Sequence, residues 1–205
     1  DLKDPARNMR RMIVAPPGRK FVGVDKSQLE FRLIALVAGQ ADLLEALSDR
    51  KRDVHSENAA RFYSDVWPTL TSNMASAEKR MTELQALMVT ATSPLQRRQF
   101  ETQYAEAKKQ FDHNKTIKKR LREVTKRATY ASLYGSTADN LFIKLRSDEA
   151  LRSMGMEIDL DQCTHYVHMF PRLWPKIEAW RKHVVIESKQ ARQGISPLLG
   201  RKRPF

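Results

Sequence analysis

Arg122, Lys126, Tyr130 and Tyr134 recur at intervals of four in the run RLREVTKRATYASLYGS, with Gly135 following the last of them. Residues four apart are neighbours on an α-helix, each displaced by about 40° from the last, so on a helix the four side chains form one slowly spiralling stripe. At a rise of about 1.5 Å per residue the stripe runs roughly 18 Å, the length of a nucleoside triphosphate. Two cations at one end match phosphate oxygens, and two aromatic rings at the other match a sugar and a base. From the spacing alone, a solvated basic face carrying two core tyrosines is an equal reading.

A second segment favours the nucleotide. Phe21-Val22-Gly23-Val24-Asp25 is a short apolar run that reads as a buried strand ending on a carboxylate, and residues 27–38 continue with helix formers. A carboxylate at a rigid strand end is well placed to hold a hard cation; taken alone, Asp25 reads as a helix cap.

Together the two segments resemble the family A DNA polymerases, the bacterial polymerase I type with its phage and mitochondrial relatives. Asp25-Lys26-Ser27-Gln28-Leu29-Glu30-Phe31-Arg32 is similar to that family's motif A, and Arg122-x3-Lys126-x3-Tyr130-x3-Tyr134-Gly135 to its motif B. Between them Arg52-Asp53-Val54-His55 matches a further family stretch. Residues 9–15 match the strand before motif A. Phe170-Pro171 with Pro175 and Trp180, and Leu199-Gly200-Arg201-Lys202-Arg203, match later fingers helices and the turn back to the palm. The resemblance covers nearly the whole chain except roughly residues 65–118.

The resemblance implies roles residue by residue. Asp25 and the peptide carbonyl of Lys26 bind two Mg²⁺ ions, the second metal carboxylate coming from elsewhere. Arg122, Lys126 and His55 hold the triphosphate as charge-assisted donors, with Lys126 also catalytic at the phosphate in transfer. Gln28, Glu30, Tyr130 and Tyr134 complete the nucleotide site. Glu30 excludes a ribose 2′-hydroxyl, which favours DNA over the RNA product of the single-subunit RNA polymerases. Tyr134 and Gly135 position the template. Two departures stand out: Lys26 replaces the usual Tyr after the metal Asp, and Ala131 the usual Gly after the motif B aromatic.

The implied function is template-directed DNA synthesis on primer–template DNA with dNTP substrates. The family's second metal Asp sits in a His-Asp motif, and no His-Asp dipeptide occurs in these 205 residues. The expectation is therefore that this chain alone extends no primer, and that a second polypeptide carrying the rest of the palm and the thumb completes it. A piece of a longer polymerase, and a non-catalytic DNA-binding or scaffold protein derived from a polymerase, are the competing readings. Retention of Asp25, Glu30, Arg122 and Lys126 together speaks against the last.

The expected fold is α+β and mostly α: a partial palm over residues 1–45, fingers over 46–190, and a return to the palm over 191–205. Strands are expected at 10–15 and 21–25, and helices at about 28–38, 41–48, 53–63, 137–147 and 160–170, with a long last helix closed by Gly194. Residues 65–118 carry two apolar stripes at helical spacing, Met81-Leu84-Leu87-Met88 and Phe100-Tyr104-Ala107-Phe111, separated by Ser93-Pro94. Ser at a cap followed by Pro in the first turn begins a helix, so the segment reads as an antiparallel helical hairpin inserted in the fingers.

Charge agrees with a polyanionic partner. The chain carries 37 Lys and Arg against 24 Asp and Glu, a formal net charge of +13, and DNA is the natural counterpart. The single cysteine, Cys163, excludes an internal disulfide and points to a reducing compartment, cytoplasmic or nucleoid-associated. Cys163 with His165 and His168 lacks a fourth ligand for a metal. No apolar run approaches the roughly 20 residues a membrane span needs.

Overall fold

The computed structural model describes residues 14–24, 26, 28–195 and 202–204. Nine helices are found among them: α1 (Leu29–Val37), α2 (Ala41–Ser48), α3 (Val54–Phe62), α4 (Trp67–Thr90), α5 (Pro94–Leu133), α6 (Ala138–Ser147), α7 (Glu149–Ser153), α8 (Leu160–Leu173) and α9 (Pro175–Ala191). One antiparallel ladder pairs β1 (Gln193–Ile195) with β2 (Lys202–Pro204), Gly194 opposite Arg203.

The helical hairpin expected between residues 65 and 118 is present as α4 against α5. Its start is the one read from the sequence: the Ser93 hydroxyl accepts from the Leu95 amide at 3.3 Å and Pro94 fills the first helical position, where a missing N–H costs nothing. Antiparallel pairing is fixed by cross-helix contacts whose residue numbers converge, Lys118 Nζ to Thr71 Oγ1 at 3.0 Å and Gln85 Nε2 to Tyr104 Oη at 3.2 Å. Leu70, Ala77 and Leu84 of α4 and Ala107 of α5 form the buried seam. What the sequence did not show is that α5 continues unbroken for 40 residues from the hairpin into the Arg122–Tyr134 ladder.

That continuity makes α5 the axis of the fold. Its last three turns are buried on two sides. Val124 and Ala128 enter a cluster with Phe62 of α3, Leu141 of α6 and Tyr166 of α8. Leu133 enters a second cluster, where Phe31 of α1 and Leu43 of α2 meet Phe170 and Ile177 of α8 and α9. The ladder residues therefore stand on a helix anchored in both cores, and burial of this kind contributes about 1.5–3 kcal/mol per large apolar side chain.

α5 ends at Gly135. The Ser136 amide bonds back to the Ala131 carbonyl at 2.9 Å and the Gly135 amide to that of Ser132 at 2.9 Å, with Gly135 at φ 75°. This closing turn needs a left-handed residue, which glycine supplies without a Cβ clash. The Arg181 guanidinium of α9 lies against the space a Cβ would fill.

Two expectations are corrected. Residues 14–15 and 21–24 lie in no strand, and Phe21, Val22 and Val24 are 65%, 85% and 86% exposed. An apolar run becomes a buried strand only beside a partner strand, and none of the described residues supplies one. The rest of the two expected strands, 10–13 and Asp25, lies outside the described residues. The last helix closes at Arg192 in the left-handed region, φ 50°, with Gly194 already in the β1–β2 ladder.

Candidate nucleotide-binding site

The ladder emerges where α1, α3 and α5 meet. Arg122, Lys126 and Tyr130 are half-buried along α5, and Tyr134 is exposed at its end. Tyr134 Oη donates to the Glu30 carboxylate on α1 at 2.8 Å, joining two residues 104 positions apart. This bond, together with a small contribution from burial, raises the Tyr134 hydroxyl above its ordinary pKa. Glu30 of α1 and the end of the ladder thus share one surface.

Arg122 is already engaged. Its Nε and Nη2 reach the Asp53 carboxylate at 2.6 and 3.2 Å, and its Nη1 reaches Glu123 at 3.0 Å. Asp53 is also the N-cap of α3, accepting from the His55 amide at 3.2 Å and from the Ser56 hydroxyl at 2.7 Å. Burial raises the Asp53 carboxyl, but the Arg122 and Ser56 hydrogen bonds and the Arg122 charge outweigh it and hold the group at about 2. Arg127 repeats the arrangement one turn on, with Nη1 3.0 Å from Glu123 and Nε 2.6 Å from Asp148, the N-cap of α7. A chain of alternating charge therefore ties α3 and α7 to α5 through the ladder's own arginine. Asp53 was read only as part of a motif, and Glu123, Arg127 and Asp148 were not singled out. Their i, i+1 and i, i+4 spacing on α5 hinted at ion pairs, whereas the long-range partners depend on packing.

Lys126 is the available cation. Its Nζ makes no hydrogen bond or ion pair with the described residues, and it opens on a cleft of about 330 Å³ between α5 and α6, with Tyr130 and Ala131 on the same wall. A triphosphate beside it meets one uncompensated charge and one arginine that must be shared with Asp53.

His55 sits differently from a surface donor. It is 1% exposed, stacked on Phe31 at 6.2 Å between ring centroids and tilted against Tyr130 at 5.8 Å, and neither ring nitrogen has a hydrogen-bond partner among the described residues. Burial, then the charge of Arg122, lowers its pKa to about 4. In this conformation it is neutral at pH 7 and supports the rings beneath Tyr130.

The pH consequence has a definite sign. An unfolded histidine titrates near 6.5 and this one near 4, so between those values the unfolded chain binds the extra proton and stability falls as the pH falls. The loss is expected to reach about 3 kcal/mol between pH 7 and pH 4. Thermal melts across that range check it: His55→Phe should flatten the decline above pH 4 and leave the separate loss below pH 4, where Asp53 protonates.

Gln28 and Lys26 line another cleft, with Arg32, Asp49 and Arg52, away from the ladder. Gln28 takes a left-handed backbone, φ 56°, at the start of α1. The Lys26 carbonyl accepts the Leu29 amide at 3.4 Å. Asp25 lies outside the described residues, so its metal role has no geometry here. Among the described residues no group of three or more His, Cys, Asp or Glu could hold a metal ion. Nor is any described helix long and apolar enough to cross a membrane.

The chain is mostly helical and sets a cationic and aromatic ladder beside a carboxylate on a neighbouring helix. Residues 3–83 match the model of DNA polymerase family A. A DNA polymerase I of Chloroflexus aurantiacus is 38% identical over 66 residues, which are 32% of this chain and 7% of that protein. No solved structure matches. Over residues 3–83 these findings bear out the resemblance to family A DNA polymerases read from the sequence. The family match includes residues 25–32 and 52–60 and ends within α4. The ladder at 122–135 lies beyond it, and the Tyr134–Glu30 bond connects the two. The comparisons give no support for a second polypeptide.

Proposed function

We propose that the chain contributes the nucleotide-binding fingers and motif A to template-directed DNA synthesis, the transfer of a nucleotide from dNTP to a primer 3′-hydroxyl. The observation that supports this reading is the hydrogen bond from Tyr134 to Glu30, which joins the end of the α5 ladder to α1. Lys126 and Arg122 bind the triphosphate, Arg122 by exchanging part of its bond to Asp53. Tyr130 lies beside the sugar. Tyr134, held by Glu30, occupies the templating position until a base displaces it, and Gly135 lets the chain turn away at that point. His55 supports Tyr130 from below.

Mg²⁺ bound at Asp25 and the Lys26 carbonyl, together with a carboxylate from outside these residues, would activate the primer hydroxyl and neutralise the leaving pyrophosphate. The domain division follows: residues 1–45 as part of the palm, 46–190 as fingers with the α4–α5 hairpin inserted, and 191–205 returning to the palm. The partners are primer–template DNA, dNTP and, in the split form of the proposal, a second chain in the cytoplasm or nucleoid.

Glu30 provides the test. Its carboxylate stands where a 2′-hydroxyl would approach, so Glu30→Ala should raise ribonucleotide incorporation relative to deoxynucleotide by at least tenfold, whatever it does to the overall rate through Tyr134. The assay is competitive primer extension with Mg²⁺, the second metal Asp supplied in the same or a separate polypeptide. An unchanged selectivity ratio removes Glu30 from the sugar.

A further inference from the structure

The ladder does not end at Arg122. Lys108, Lys115 and Lys119 stand on the same side of α5 as Arg122 and Lys126, all five within a sector of about 60° at 3.6 residues per turn. Lys108, Lys115 and Lys119 are exposed, and the stripe from Lys108 to Lys126 spans about 27 Å on one unbroken helix. Asp112 lies at its edge. The hairpin around it holds ten Lys and Arg against five Asp and Glu between residues 67 and 120.

Two aromatic rings of the hairpin are capped by lysines. Lys118 Nζ sits 4.5 Å from the centre of the Trp67 ring while donating to Thr71, and Lys115 Nζ sits 5.6 Å from that of Phe111. A surface built for single strands offers open rings on which bases stack. This one offers ammonium groups and hydroxyls, which suit phosphates.

We propose that the Lys108–Lys115–Lys119 stripe binds the backbone of duplex DNA, as a site separate from the nucleotide site. From Lys108 to Lys119 the helix runs about 17 Å, the length of about five base pairs, one backbone charge falling every 1.7 Å of duplex axis. The contact is sequence-independent and fixes the hairpin, and with it the far end of α5, against the DNA. The inference rests on the reading of the chain as a DNA-synthesising module, which supplies the partner; the stripe itself lies in the segment that has no counterpart in the family motifs.

The experiment is anisotropy of a labelled 24-base-pair duplex with the protein and with its Lys108→Gln/Lys115→Gln/Lys119→Gln variant, between 50 and 200 mM salt. Three lost phosphate contacts should flatten the plot of log affinity against log salt by about 2.7. Affinity at 100 mM should fall at least tenfold, while Lys79→Gln on α4 changes neither. Equal slopes for variant and parent overturn the stripe, as does a loss confined to single-stranded dT24. Lys119 shares a cleft with Arg122, so dNTP binding is measured on the Lys108→Gln/Lys115→Gln variant, whose two substitutions lie clear of the proposed nucleotide site and which should still bind dNTP. Equal slopes with dNTP binding intact reject the stripe alone, and a changed slope in a protein that binds no dNTP supports the stripe and rejects the nucleotide site.

Discussion

Lys126→Ala is expected to lower nucleotidyl transfer by about a hundredfold to a thousandfold, mostly in kcat, the range found when one donor to a developing charge is removed from an active site. The reason lies in its neighbours. Arg122 divides its charge between Asp53 and Glu123, and Arg127 between Glu123 and Asp148. Lys126 stands between these two arginines with no partner among the described residues, so its full charge can move to the phosphate as negative charge develops. Single-turnover primer extension with the second metal Asp supplied measures the effect. A change confined to KM, or one of less than about tenfold in kcat, would mean that Lys126 binds the nucleotide without acting in transfer.

Tyr130 gives the second large effect. It is half-buried, with its ring 6.2 Å from Phe31 and 5.8 Å from His55, contacts that restrain it in the position proposed for it beside the sugar. A hydroxyl there can make to the triphosphate the hydrogen bond that a dideoxynucleotide lacks. The parent protein should accept dideoxynucleotides nearly as well as deoxynucleotides. Tyr130→Phe should discriminate against them by roughly ten- to hundredfold, since a hydrogen bond to a charged group is worth about 1.5–3 kcal/mol. Competition between each dideoxynucleotide and its deoxy counterpart decides the matter. Strong discrimination by the parent, or no change on substitution, would place Tyr130 away from the sugar.

Much of the helical framework was legible because it is written in local terms. Ser93-Pro94 announces the start of α5, the apolar stripes define the hairpin seam, and the four-residue interval makes the ladder helical. The junction of hairpin and ladder was hidden because no breaker separates them: Lys115 to Leu121 simply continues the helix. The expected strand at residues 21–25 failed for the opposite reason. Its apolar composition is local, but strand pairing is not, and no described strand lies beside Phe21–Val24.

The site divides in the same way. Spacing put Arg122, Lys126, Tyr130 and Tyr134 on one face, and the family resemblance linked Glu30 with Tyr134. Neither showed that Asp53 would occupy Arg122, because the 69 residues between them are bridged only when α3 packs on α5. Nor did they show that His55 would be enclosed. A histidine in the first turn of a helix carries no local sign of burial; its position follows from Phe31 and Tyr130 closing over it.

The central claim is that a nucleotide lies along α5 from Arg122 to Tyr134. Amide chemical-shift mapping of the isotopically labelled protein during titration with a non-hydrolysable dNTP analogue and Mg²⁺ tests it without requiring catalysis. The account predicts saturable shifts centred on Lys126, Tyr130 and Tyr134, extending to Asp53 as Arg122 changes partner and to Glu30 at the far end, and lost in Lys126→Ala. Shifts that gather elsewhere, around Lys26 and Gln28 or on the hairpin lysines, with the ladder amides unmoved, would contradict it.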